Sequence, residues 1–268
     1  MHPLLFHFGH IAIPTYGVLS ALALLAALAV SLAAAKRRGL PGAKVWNLGL
    51  AAILTTLFAS RLLFVIGHMS LYRKHPFWVL GLVAFPSIGY ALGGALVGAL
   101  AAALYAFAEG LPPLQTADAL APAAALAFCL NRIGAFCGGS AWGTPTQLPW
   151  GVEYRSVVAY LWYRVPLGVK LHPVQLYDSA AALGIFVLLL WMIRRGRGRD
   201  GEVAGAWLFL YGLSRFFLEF FRGDPGRQLV LHGALTLAQV LAVGAVILGG
   251  VLWLRRGPRP RPAVREAS

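Results

Sequence analysis

The sequence predicts an all-α fold, a polytopic membrane helix bundle of about seven transmembrane spans with a small external cap between spans four and five. Three observations carry this reading. Hydrophobic residues fill 59% of the 268 positions and charged residues 12%, which leaves too little polar surface to keep a soluble domain dispersed. The apolar residues gather into runs long enough for a bilayer core of about 30 Å, at about 20 residues per helix. The Lys and Arg residues stand in short clusters between those runs, where membrane topology places them.

In chain order the runs cover about 13–35, 45–67, 77–107, 117–136, 173–193, 203–221 and 235–254. No Lys or Arg precedes the first run, and it is too long for a signal-peptide core, so it is expected to be a retained span. Pro86 breaks the third run, which suggests an interfacial or re-entrant piece leading into a proper span. The one long connection, about 137–171, holds Gly138, Gly139, Pro145, Pro149 and Pro166 as turn formers. Trp142, Trp150, Trp162 and Tyr163 there suit interfacial anchors, so this stretch is the expected external cap. Residues 1–256 are expected to form a single integral membrane domain. The Pro/Arg-rich stretch 257–268 has nothing with which to build a core and is expected to be a disordered cytoplasmic tail.

With the N-terminus outside, thirteen Lys and Arg residues fall on the cytoplasmic side and seven on the external side, an asymmetry that favours this orientation under the positive-inside rule. The same distribution argues against nucleic acid as the partner of the +14 net charge, because the cations form no patch or stripe. Two cysteines, Cys129 and Cys137, are too few for a metal site or a disulfide framework. On one helix they would stand roughly 12 Å apart, beyond bridging distance.

Three arginines, Arg61, Arg132 and Arg215, lie inside apolar runs, each toward the outer end of its span. A guanidinium in hydrocarbon costs at least about 2.5–3.5 kcal/mol, so each requires a partner, water or a ligand. Tyr211, Arg215, Glu219 and Arg222 follow i, i+4, i+8, i+11 spacing, a polar stripe that must face protein or water. The plainer reading of that stripe is an Arg215–Glu219 pair that helps its own helix bury charge. At the outer start of the fifth span His172, Gln175 and Ser179 are expected on one face, with Asp178 pointing elsewhere. A lone His near an interface is more often structural, but this one opens onto the layer that holds the arginines. Several guanidinium groups at headgroup depth suit a lipid phosphate, which arginine grips bidentately. Gly93 and Gly94, followed by Gly98, also fit close helix packing. Arginines clustered near one face, without an evident internal repeat, weigh against a transporter.

Asn131-Arg132-Ile133-Gly134-Ala135-Phe136, Trp142-Gly143-Thr144-Pro145-Thr146 and Leu148-Pro149-Trp150-Gly151-Val152 together resemble the signature of prolipoprotein diacylglyceryl transferases. His172-Pro173-Val174-Gln175-Leu176-Tyr177-Asp178 is similar to a further family segment. Ser214-Arg215-Phe216 with Glu219-Phe220-Phe221-Arg222 and Asp224-Pro225 is similar to its later block. Tyr16-Gly17 and Arg61 also fall where that family carries them, so the likeness runs from about residue 10 to 254.

The resemblance implies a bacterial cytoplasmic-membrane enzyme. It would move the diacylglyceryl group of phosphatidylglycerol onto the lipobox cysteine of a prolipoprotein signal peptide, without a cofactor or metal. Arg215, Glu219 and His172 would be its catalytic residues. Arg132, Tyr16, Gln175, Tyr211, Gly93 and Gly94 would bind phosphatidylglycerol. Where the family usually has His or Tyr before Gly-Gly this chain has Leu92, and Ala135, Gly138, Ser140, Thr144 and Asp178 also depart from the family pattern. Leucine takes no proton, which leaves Glu219, His172 or Tyr90 as the base, or the local cations as the means of lowering the thiol's pKa. The alternative is a non-catalytic or altered-activity paralogue that binds phospholipid or lipoprotein precursors.

Overall fold

The computed structural model describes residues 2–8, 11–74, 88–196, 198–225, 227–230 and 233–255. Among the described residues, seven helices are long and apolar enough to cross a membrane: α1 (Thr15–Arg37), α2 (Gly42–Gly67), α4 (Ile88–Ala108), α5 (Pro113–Gly138), α7 (Val174–Arg195), α8 (Glu202–Leu218, with a 3-10 turn extending it to Phe221) and α9 (Leu237–Leu254). Two short helices, α3 (Met69–Lys74) and α6 (Val157–Tyr163), complete the set among the described residues. The all-α reading therefore holds. The stretch 77–87 of the third run and the tail 257–268 lie outside the described residues.

Three antiparallel hairpins accompany the helices: β1 (Leu4–Phe8) with β2 (Ile11–Pro14), β3 (Val152–Glu153) with β4 (Lys170–Leu171), and β5 (Leu229–Val230) with β6 (Leu235–Thr236). The first and last lead straight into α1 and α9. Thr236 caps α9: its side chain accepts from the Gln239 backbone N–H, and the Gln239 side chain accepts from the Thr236 N–H. This reciprocal box follows from the Thr-x-x-Gln spelling.

Large apolar side chains stay exposed along the spans, among them Leu25, Phe58, Leu96, Ile247 and Val251. In water such a surface would aggregate; with hydrocarbon as the solvent it is the expected outer face.

The chain forms two compact units. One holds the residues up to Leu40 and those from Leu114 onward, and the other Pro41–Pro113. In the second unit α2 and α4 approach through small residues. A Cβ on Gly94 would lie 1.8 Å from Ser60 Oγ, and one on Gly98 1.9 Å from Thr56 Oγ1. Arg61 lies over the Tyr72 ring, 5.8 Å from its centroid, and Tyr90 packs edge-on against Phe64 and His68.

In the first unit α8 and α9 touch backbone to backbone. A Cβ on Gly249 would meet the Phe209 N at 2.4 Å and the Gly205 O at 2.7 Å. Small residues at a helix interface permit this approach and strengthen dispersion contacts that the lipid cannot supply. The start of α8 is held by Asp118 of α5, fully buried, whose carboxylate accepts from the Gly201 and Ala204 N–H groups. Arg38 pairs with that carboxylate at 2.8 Å. An acidic group at a helix N-terminus is favoured by the helix dipole, and the arginine offsets the cost of burying it.

Candidate functional site

The cap grows from the end of α5. Gly139 adopts φ +88°, and a Cβ there would stand 3.0 Å from the Ala159 Cβ, so glycine lets α6 settle directly on the helix end. Tyr154, Ala159, Val165 and Leu171 form a small buried core with Trp142 against it. Segment 142–144 is then held between two others. Thr144 N donates to Phe221 O at 2.8 Å, His172 N to Thr144 O at 2.9 Å and Gly223 N to Trp142 O at 2.9 Å. The cap thereby ties the start of α7 to the chain just beyond α8.

Gln175 is almost wholly buried and secures the same joint. Its Nε2 donates to Ser140 O at 2.7 Å and to Tyr154 Oη at 3.2 Å. Tyr154 Oη donates in turn to Phe136 O. Burial pushes the Tyr154 phenol above its ordinary pKa, with the Gln175 hydrogen bond acting in the opposite direction.

Below the cap lies the charged centre. On α8 and the 3-10 turn that follows it (Glu219–Phe221), Arg215, Glu219 and Arg222 are all buried, at 7%, 1% and 5% exposure, so the polar stripe faces protein. Arg215 donates through Nη2 to Glu219 Oε2. The same oxygen accepts from Arg222 Nη1 at 3.2 Å, and Arg227 approaches Glu219 Oε1 at 3.8 Å. Arg222 also makes a two-pronged pair with Asp224, at 2.8 and 2.7 Å. One carboxylate thus holds three guanidinium groups, with a second carboxylate on one of them. Arg215 retains a buried Nη1 without a hydrogen-bond partner.

Arg132 comes from α5. Its guanidinium carbon lies 4.7 Å from the centroid of Phe128, one turn earlier, and its Nε stands 3.3 Å from Asp178 Oδ2 on α7. Tyr211 of α8 packs edge-on against Phe128 and stacks on Trp207. Arg132 is close enough to Arg215 and Arg222 to be repelled by them, and Tyr211 belongs to the same electrostatic neighbourhood. The i, i+4 and interhelical contacts therefore gather Arg132, Arg215, Arg222, Glu219, Asp178 and Tyr211 into one cluster.

Tyr16, near the start of α1, faces α5: Asn131 Nδ2 donates to its Oη at 3.2 Å and to Ser20 Oγ at 3.0 Å. His172 sits in an aromatic group, 5.3 Å from the Phe221 ring and 6.2 Å from that of Tyr177. Trp150 Nε1 donates to Tyr177 Oη at 2.8 Å. Gly93 and Gly94 belong to the second unit, where their surroundings are those of packed helices.

One expectation is corrected. Asp178 does not point away from the buried face of α7; it is 3% exposed and pairs with Arg132. Helical spacing does not apply to His172, which precedes the helix. The operative stripe is Gln175, Asp178, Ser179 and Ala182, all buried, at i, i+3, i+4, i+7. Applied from Val174 onward, that stripe finds Asp178 in the sequence. Arg227 and Asp224 lie in a loop, where no periodicity reveals which of them turns inward. The two cysteines are free, with Cys129 Sγ 3.2 Å from Ser179 Oγ on the same α5–α7 contact.

Comparison with known proteins finds relatives along nearly the whole chain. A phosphatidylglycerol-prolipoprotein diacylglyceryl transferase of Clostridioides difficile is 32% identical over 238 residues, 88% of either chain. Its namesake from Nostoc sp. is 32% identical over 276 residues, covering 98% of this chain and 92% of its own. That of Geobacillus kaustophilus is 33% identical over 263 residues, 93% of this chain and 90% of its own. Residues 3–255 match the family described as prolipoprotein diacylglyceryl transferase, and the chain belongs to that family.

Proposed function

We propose that this protein transfers the diacylglyceryl group of phosphatidylglycerol to the thiol of a lipobox cysteine in a prolipoprotein signal peptide, and that the Arg132–Arg215–Glu219 cluster is where it does so. The observation that carries the reading is a group of buried arginines inside a membrane domain with donor groups still to spare. Arg215 keeps a buried Nη1 without a hydrogen-bond partner, and Arg132 is held at its Nε edge by Asp178 and on one face by Phe128. In a low-dielectric site such donors suit a phosphate oxygen far better than they suit hydrocarbon.

The chemistry fits those groups. The cysteine thiol loses its proton, and the sulfur attacks the glyceryl carbon that bears the phosphate. A C–S bond forms and the C–O bond to phosphate breaks, so the electron pair leaves on glycerol phosphate. Arg132 and Arg215 stabilise the charge on that leaving group. Glu219 is the carboxylate shared by Arg215 and Arg222, and it holds Arg215 in place. The thiol, with an ordinary pKa of about 8.5, is deprotonated with help from the surrounding cations, and His172 is the candidate to carry the proton toward the external side. Tyr211 lines the cluster, Tyr16 holds Asn131 beside Arg132 in the chain, Gln175 fixes the cap above the cluster, and Gly93 and Gly94 serve the α2–α4 contact. The protein is set in the bacterial cytoplasmic membrane with the N-terminus and cap outside and the C-terminus in the cytoplasm.

The test uses purified full-length protein in phosphatidylglycerol/phosphatidylcholine vesicles with a lipobox peptide. A thioether-linked diacylglyceryl peptide is expected by mass spectrometry. Lipid binding without product would instead identify a binding paralogue, the reading to which Leu92 in place of a proton-carrying residue lends support.

A further inference from the structure

Arg132 is held unlike the other arginines of the cluster. Arg215 and Arg222 point at Glu219, a carboxylate on their own segment. The one carboxylate on Arg132's own helix, Asp118, is taken up by Arg38 and the start of α8; the counter-charge of Arg132 comes from Asp178 on α7, forty-six positions along the chain. Asp178 is 3% exposed and faces the Nε edge of the guanidinium, while the Phe128 ring covers one of its faces. Supports on the Nε edge and on one face leave the opposite, Nη edge as the free side of a planar fork. The Arg132 Nε meets Asp178 as an ion pair at 3.3 Å and makes no hydrogen bond.

We propose that Asp178 is a positioning residue: with Phe128 it fixes the Arg132 guanidinium so that its Nη edge is presented to the phosphate of phosphatidylglycerol. This rests on the reading that Arg132 binds that phosphate. An arginine free to rotate would not hold this orientation and would be lost to the ligand. A buried carboxylate on a second helix prevents this at the moderate cost of lowering the local positive charge.

That cost makes the proposal testable by sign. If Asp178 served only as a counter-charge, removing it would make the site more cationic and improve capture of an anionic lipid. If it orients Arg132, removing it impairs capture despite the extra positive charge. The experiment compares the parent, Asp178→Asn, Asp178→Glu and Phe128→Leu in vesicles of varied phosphatidylglycerol content, reading KM and kcat with a lipobox peptide. Asp178→Asn is expected to raise KM for the lipid on the order of 10- to 100-fold and to lower kcat as well, because the guanidinium it orients also stabilises the departing phosphate. Asp178→Glu, which restores the carboxylate, recovers most of the loss. Phe128→Leu removes the other support and raises KM by about 3- to 30-fold, which keeps the test alive if Asp178→Asn fails to fold.

Parental or lower KM in Asp178→Asn overturns the proposal, as does a Glu variant no better than the Asn variant, or a parental KM in Phe128→Leu. Arg132→Gln separates the two levels. If it keeps parental KM, phosphate binding at Arg132 is wrong. If it loses lipid while Asp178→Asn keeps it, only the positioning role is wrong.

Discussion

Replacing Glu219 by Gln tests whether the charged centre is a structural keystone as well as a ligand site. The change preserves volume and removes one negative charge at a position 1% exposed. Arg215 then loses the carboxylate it donates to, at a side-chain exposure of 8%. Arg222 keeps Asp224, and Arg227 keeps its bond to the Arg222 carbonyl at 2.8 Å. At 3.2 Å the Arg222–Glu219 attraction is gross worth about 5 kcal/mol at an effective dielectric constant of about 20, and the Arg227 contact at 3.8 Å about 4 kcal/mol. Much of that is offset by the desolvation of the carboxylate itself. The net cost expected for a buried charge left without its partner is about 3–5 kcal/mol, a shift of about two to four orders of magnitude in the unfolding equilibrium. The free Cys129, 4% exposed, supplies the assay: a thiol-reactive fluorophore reports its exposure as detergent-solubilised protein is heated. Glu219→Gln should melt well below the parent, and adding Arg227→Gln should recover part of the loss by reducing repulsion. A Glu219→Gln protein that melts with the parent would refute the reasoning.

Further outcomes follow from the same contacts. Gly249→Leu should cost on the order of 1–3 kcal/mol by forcing α9 off the α8 backbone, whereas Gly244→Leu, with open space around its Cβ position, should melt like the parent; equal effects would contradict the packing. Gln175→Leu leaves the buried Ser140 carbonyl and Tyr154 hydroxyl short of a partner, at about 1–3 kcal/mol; limited proteolysis should then cut within 139–171 faster, and unchanged cleavage would count against the joint. Tyr154 has its phenol pKa raised by burial from an ordinary 10.0. Its contribution to stability is therefore complete below pH 10 and declines as the pH climbs from there toward the raised folded value, because the unfolded chain ionises first. A melting series above pH 9 should fall less steeply for Tyr154→Phe, and identical slopes would contradict that account.

The spans were legible because the bilayer imposes a length: an apolar run either reaches about 20 residues or fails to cross. The boundaries expected for the fifth span, 173–193, and for the seventh, 235–254, differ from α7 and α9 by at most two residues at either end. The hairpins were not legible, since strands of two to five residues give too few alternations to stand out from a loop. The site divides along a similar line. Arg215 and Glu219 are four residues apart on one helix, so their pairing follows from helical geometry alone. Arg132 and Asp178 meet only because α5 and α7 pack, a relation that no local spacing contains. What the sequence did contain was the physical demand: a guanidinium in hydrocarbon needs an anion, and the first unit has few carboxylates to offer. Glu219 is occupied by its own segment and Asp118 by Arg38 and the start of α8. Asp178, set within a buried stripe of Gln175, Ser179 and Ala182, is the acidic residue left on an apolar helix face with no neighbour on its own helix to neutralise it. Treating intramembrane charges of both signs as a matching problem would therefore have paired Asp178 with Arg132 before any coordinates.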